Sequence, residues 1–406
     1  MSFLFITRLY SGFESSLEKM NWQPEGVPTI YNLFETIANK YDTSIIFTAK
    51  DSGSTYTSNW TKRKDESIKL KNLNANIVVL SGKFYFPSFI PRKLAMILRD
   101  IRQLFKIIIF FKKNNPNIVY CDSANVVIAF CLTKFFPNKP IVVRVLGVCS
   151  FWRSILNSKR LVHKIYKFSF KGKFASVIGT QDGSGIEYWF DEVLNKKVPR
   201  YVLLNGVTKN KINTSIRKRK KILFVGRLED YKGIIIFINA MINVLKKYKG
   251  SFSIIIIGDG TLYDKAFSLT KSSGFVEQFT FLRSIPHNDV LNYYSNSDIY
   301  VSANTDGNLI NTNLEAISSS CCMIIPSPQE KKLIDIKTYQ LLQESVLYYK
   351  VNSVEDLSKK ILYLLNYPDN IEKFKNKISN IKTNFIRTWK ERMDEEFLIL
   401  KSLIDK

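Results

Sequence analysis

Short apolar runs alternate along the whole chain with longer stretches of helical period. In the first half the runs fall at residues 3–7, 43–47, 76–80, 117–121, 141–145, 175–179 and 201–204; in the second at 221–225, 253–257, 278–282, 299–302, 323–325 and 345–349. Little polar residue interrupts them, the mark of strands buried on both faces of a parallel sheet. The segments between are long enough for helices. After Gly233, for example, Ile234, Phe237, Ile238, Met241, Ile242 and Leu245 recur on one helical face. The pattern predicts an α/β protein of two Rossmann-like, doubly wound domains in tandem, since 406 residues exceed one ordinary core.

Where the first alternating set ends, NGVTKNKINTSIRKRK is polar and basic and reads as a junction. The expected division is a first domain over 1–205, a linker over 206–220 and a second domain over 221–384. The final segment 385–406 reads as an amphipathic helix with Trp389, Met393, Phe397 and Leu400 on one stripe.

Charge changes this picture. The net charge is +25, and residues 1–210 hold 31 Lys or Arg against 14 Asp or Glu. No acid occurs between Asp122 and Asp182, where ten basic residues accumulate. Such a field attracts anionic lipid, nucleic acid or phosphorylated substrates, or else decorates a solvated surface. Nucleic acid is disfavoured, because no zinc-finger spacing, RNP-like string or helix-turn-helix appears. RKLAMILRDIRQLFKIIIFFKK, residues 92–113, combines apolar and basic positions in the manner of a helix lying on an anionic membrane surface. The greasy runs are broken by Lys well before the roughly 18 residues a membrane span needs. MSFLFITRLYSG has too short an apolar core for a secretory signal, and five cysteines without C-x-x-C spacing suit a reducing cytoplasm.

Three stretches carry candidate chemistry. In ILFVGRLEDYKG, residues 222–233, a strand stops at Gly226 and Arg227 and Lys232 follow on the turn into a helix. That places two cations at the carboxyl edge of a parallel sheet, where ligands bind, and suits them to a diphosphate; pairing with Glu229 and Asp230 is the plainer alternative. SFSIIIIGDGTLYDKAF repeats the pattern, with Gly258 and Gly260 allowing a close backbone approach or simply a tight turn. A polar loop over 305–311 then precedes a helix carrying Glu315. That carboxylate can accept from vicinal hydroxyls, and free N–H groups at Asn311 and Thr312 can meet phosphate, although an acid at a helix start also compensates the dipole.

Taken together GRLEDYKG, IIIIGDG, FTFLRSIPHNDVLNYYSNSDIYVSA and LEAIS, over roughly residues 221–326, resemble the nucleotide-sugar half of family 4 glycosyltransferases of the GT-B fold. The resemblance implies two domains facing a cleft, an enzyme of the hexosyltransferase kind, and transfer from a nucleotide-diphosphate sugar with retention. It gives Gly226, Arg227 and Lys232 the donor diphosphate, Glu315 the ribose, and the backbone of Leu309, Ile310, Asn311 and Thr312, with Gly258, the sugar and phosphate. Arg227 and Lys232 would stabilise the leaving group, which itself helps deprotonate the acceptor.

The family spaces two acids with seven residues between them; here Gly307 takes the expected position and Asp306 stands one residue earlier. Arg283 occupies a usually small position near the base, and Ser320 and Cys322 replace a Gly and a Pro after the LEAIS helix. In the acceptor half, Gly26 leads the first helix, and Leu146 stands where many relatives carry a His. His163 and His287, the chain's two histidines, read as non-catalytic. No Asp-x-Asp occurs, which argues for a metal-free, cofactor-free donor site. The implied acceptor is a glycan or lipid-linked acceptor in bacterial surface glycan synthesis at the inner face of the cytoplasmic membrane. A GT-B epimerase acting on a nucleotide sugar, or a soluble enzyme glycosylating a small molecule, are the alternatives.

Overall fold

The computed structural model describes residues 1–50, 63–83, 89–208 and 220–405. Most of the expected linker, 209–219, lies outside the described residues. The first sheet is built from β1 (Ser2–Arg8), β2 (Asp42–Thr48), β3 (Glu66–Ile68), β4 (Asn76–Leu80), β5 (Ile118–Asp122), β6 (Ile141–Val145), β7 (Ser176–Thr180) and β8 (Arg200–Leu203). The second comprises β9 (Lys220–Val225), β10 (Phe252–Ile257), β11 (Phe279–Leu282), β12 (Ile299–Val301), β13 (Cys322–Pro326) and β14 (Leu347–Tyr349). Strand order is β3-β4-β2-β1-β5-β6-β7-β8 in one sheet and β11-β10-β9-β12-β13-β14 in the other. All described pairings are parallel except β3 with β4. β3 escapes the apolar-run reading because it is a three-residue edge strand, ESI, with no buried position.

Helices of the first half are α1 (Ser11–Glu18), α2 (Pro28–Ala38), α3 (Arg92–Asn114), α4 (Val126–Phe135), α5 (Ser150–Ser154), α6 (Leu161–Ser169) and α7 (Ile186–Val193). Those of the second are α8 (Ile234–Lys247), α9 (Tyr263–Ser272), α10 (His287–Ser295), α11 (Asn311–Ser318), α12 (Ile336–Leu342), α13 (Val354–Asn366) and α14 (Asp369–Lys382), followed by α15 (Trp389–Ser402). Each sheet carries a hydrophobic core on either face, which is why strands such as IVVRV and FSIIII tolerate almost no polar side chain. Both orders reverse beside the first strand of the set, between β1 and β5 and between β9 and β12; crevices form at the carboxyl ends of strands there. Among the described residues no helix is long and apolar enough to cross a membrane.

The last segment divides differently from the single helix expected over 385–406. Phe385 and Ile386 pack in the second half's core, Thr388 caps α15 through a capping box with Glu391, and only from Trp389 does the chain join the first half. There Met393 and Leu400 are buried in the first sheet's core against α2, flanked by Trp389 and Phe397. Glu396 goes in with them: its carboxylate takes the Tyr120 hydroxyl of β5 and lies 2.7 Å from Arg392 Nη2 and 3.6 Å from Arg144 Nε of β6, with none of the three charged side chains exposed. The two crossings between halves run together, since Val207 bridges to Thr388 and its N–H donates to Arg387 O at 2.9 Å.

Candidate active site

Two glycines let the ends of β9 and β10 close on each other. A Cβ on Gly258, whose φ is +141°, would collide with the carbonyl oxygen of Gly226, and the Gly226 N–H donates to Ile257 O at 3.0 Å. Leu228, fully buried, then anchors the turn through its N–H to Asp259 O at 2.9 Å. Glu229 is taken by the Thr261 hydroxyl at 2.6 Å. The turn sends its two cations different ways: Arg227 is exposed, whereas Lys232 turns into the space between the halves. Burial lowers the Lys232 ammonium to about 8, with Asp182 and Asp306 pulling it upward and Arg227 pushing it further down. A carboxylate from each half thus faces Lys232.

That space is a cavity of about 870 Å³. Tyr231, Lys232, Asn304, Asp306 and Ile310 line it from the second half, and Leu146, Gly147 and Asp182 from the first. Ahead of α11, Asn304 donates to Gly307 O, and Asn308 ties the loop to Asp335 through its N–H at 2.6 Å and its amide at 2.7 Å. Gly307, at φ +131°, explains the missing acid: a Cβ there would lie 2.5 Å from Asp182 O of the opposite half, so no side chain fits. Asp306 reaches the cavity instead, its backbone oxygen 3.4 Å and its carboxylate 3.9 Å from Arg153 Nη2.

The backbone donors ahead of α11 are not equivalent. The Leu309 N–H, expected to face a ligand, donates to Asp182 O at 3.0 Å, so it is already engaged across the halves. Ile310 lines the cavity, and the N–H groups of Asn311 and Thr312 open α11 with no acceptor among the described residues. Glu315 is buried and lies 2.8 Å from His287 Nε2. That hydrogen bond raises the His287 pKa above its ordinary value, against the opposing effect of burial. Close by, the first half contributes α2: Thr29 donates to Asn205, and Asn205 donates to the Asn311 side chain at 2.7 Å. Burial raises Tyr31, with Glu35 and Glu315 adding to the shift. Gly26, at φ +69° with open space where a Cβ would go, leads into this helix.

The remaining expectations fall at the margins. Arg283 lies over the Tyr263 ring, 3.8 Å from its centroid, between Asp259 and Asp264. His163 is buried in α6, edge-on to Phe151. Asp182, Arg153 and the His287 contact to Glu315 were missed by sequence reasoning. For Asp182 a signal existed: QDGSG follows β7 with the same grammar as the turn after β9. The residue is half-buried, and desolvation pushes its carboxyl up to about 6 despite hydrogen bonds from Ser184.

Two doubly wound sheets facing one cleft, with a strand-end cation and a helix start converging there, define the GT-B fold. Residues 208–381 match the family model described as glycosyl transferases group 1. An uncharacterized glycosyltransferase of Methanocaldococcus jannaschii is 26% identical over 204 residues, 48% of this chain, and the match spans only about half (48%) of that relative's length. The sucrose-phosphate synthase of Thermosynechococcus elongatus has a similar structure, with a TM-score of 0.71 at 12% identity over 99% of both chains. HepE of Anabaena, solved with UDP, reaches a TM-score of 0.67 at 11% identity over 99% of this chain and 100% of its own. The fold is thus shared over nearly the whole chain, and the family match falls on its second half.

Proposed function

We propose that the protein transfers a sugar from a nucleotide-diphosphate sugar to an acceptor hydroxyl, with retention, as a family 4 enzyme would. The observation that carries this reading is Lys232 facing the cavity between the halves, beside the start of α11. In this reading the donor diphosphate meets Lys232, with Arg227 swinging in from the exposed side of the turn, and the N–H groups of Asn311 and Thr312. Their positive charge stabilises the departing diphosphate without a metal. Glu315 holds the ribose, exchanging its bond to His287 for bonds to the sugar hydroxyls. Gly258 keeps the strand ends low enough for the nucleotide to pass over them.

The acceptor is a lipid-linked glycan precursor reached from an anionic membrane on the cytoplasmic face, in surface glycan synthesis. Support comes from α3 and α6, which expose Leu94, Ile97, Ile101, Phe105 and Ile109 on one and Leu161, Val162, Ile165 and Phe168 on the other, amid basic residues. Incubating the protein with labelled nucleotide sugars, with and without bacterial membrane lipid, tests the function. Transfer of label to lipid is expected. Conversion of the free nucleotide sugar without transfer, or failure to bind any nucleotide, would overturn it.

A further inference from the structure

The wall of the cleft opposite Lys232 holds charge that the donor leaves unused. Arg8 ends β1, Lys50 stands just past β2, and Ser123 and Ala124 follow β5, so all lie at the crevice where the first sheet's strand order reverses. Arg99 comes down from α3 and is only 2% exposed. Lys50 Nζ donates to Ala124 O at 2.9 Å. Burial lowers its pKa, Asp100 and Asp122 oppose that, and Arg99 and Arg8 reinforce it, which puts all five groups in one electrostatic neighbourhood.

Among the described residues the carboxylates offset this field only in part. Asp122 is not on the cavity wall, and five donors already serve it: Thr7 Oγ1, Arg8 N and Tyr10 Oη on one oxygen, Asn125 N and Nδ2 on the other. Asp100 is held by Arg99 at 2.8 Å. Among the described lining residues at this end of the cavity, Arg8, Lys50 and Arg99 stand beside one acid, Asp100, which Arg99 holds. Burial pushes the Tyr166 hydroxyl up to about 12, so it remains a donor on the same wall. Next to the cations the lining turns apolar, through Met96, Phe151, Trp152 and Val162, and Val162 leads onto the exposed face of α6.

A dense oxyanion followed by hydrocarbon satisfies both parts of this wall. We propose that Arg8, Lys50 and Arg99 bind the phosphate group of a lipid-linked acceptor, whose chain leaves the cleft past Met96 and Val162 between α3 and α6. This rests on the transferase reading above but concerns the other substrate, so the two fail separately.

The test is binding of decyl phosphate, decanol and inorganic phosphate to the full chain, read by tryptophan fluorescence, since Trp152 lines the cavity. Decyl phosphate should bind more tightly than decanol or inorganic phosphate. The double variant Arg8→Gln/Lys50→Met should lose at least about tenfold in affinity, the scale of one lost charged hydrogen bond, with nucleoside diphosphate affinity unchanged. Should the double variant not fold, Lys50→Met alone, at a half-buried side chain, should lose several-fold. Equal affinity of variant and wild type for decyl phosphate overturns the site. Binding of decyl phosphate no tighter than inorganic phosphate overturns the lipid-linked source. Failure of every nucleoside diphosphate to bind strikes the transferase reading and leaves the phosphate site standing.

Discussion

His287 Nε2 lies 2.8 Å from Glu315 Oε1, joining the first turn of α10 to the carboxylate expected to hold the donor ribose. The hydrogen bond raises the histidine's pKa in the folded state, so the pair stabilises the fold fully below the unfolded value of about 6.5 and loses that contribution as pH rises through the folded value. Wild type should therefore exceed His287→Ala in unfolding temperature at pH 6, and the difference should shrink by pH 8. A difference independent of pH would show that the ring acts by packing alone.

Lys232 behaves in the opposite sense. Its folded pKa of about 8 lies below an unfolded value of about 10.4, so folding costs free energy below pH 8 and that cost disappears as pH climbs toward the unfolded value. Lys232→Met should raise the unfolding temperature of the unliganded protein at pH 7 while reducing sugar transfer by about a hundredfold or more, the scale of one lost transition-state donor. Nucleoside diphosphate affinity should fall in the wild type as pH rises from 7.5 to 9, and calorimetric titration of the variant should show no such slope.

Gly307 and Gly183 are part of the contact between the halves beside the cavity. A Cβ on Gly183 would lie 2.5 Å from Asp335 Oδ1 and one on Gly307 2.5 Å from Asp182 O, both at positive φ. Gly307→Ala should destabilise the protein by about 1–3 kcal/mol in a urea titration, as overpacked contacts do. An unchanged midpoint would mean the loops part freely.

Glu396 is fully buried between Arg392 and Arg144. Burial raises its pKa, and the two guanidinium groups with the Tyr120 hydroxyl overcome that and hold it below the ordinary value. Its stabilisation is thus present above about pH 4.3 and lost as pH falls through the folded value. Glu396→Gln should cost about 3–5 kcal/mol at pH 7 by leaving buried cations uncompensated, and urea denaturation against pH should show the wild type approaching the variant in acid.

The fold was legible because parallel strands buried on both faces leave an unambiguous trace: IVVRV and NIVVL appear as strands over the same residues the apolar runs predict. The acidic edge strand ESI left none. At the site, the turn bearing Arg227 and Lys232 was readable since strand, glycine and cations are contiguous. The exposure of Arg227 and the entry of Lys232 into the cavity were not, because contacts of Leu228 and Glu229 with the next strand's loop set the turn. Asp182 facing Lys232, His287 bound to Glu315, and Asp182 O accepting from Leu309 join residues far apart in the chain, and no local pattern encodes such meetings.

The final helix also makes the first half dependent on the far end of the chain. Tyr120 and Glu396 are 276 residues apart, yet the buried polar cluster against the first half's sheet is completed only by that glutamate. Without α15, Arg144 would lose the carboxylate it faces, and the surface under Met393 and Leu400 would lie open. The amino-terminal half is thus closed by a segment that follows the whole second half along the chain.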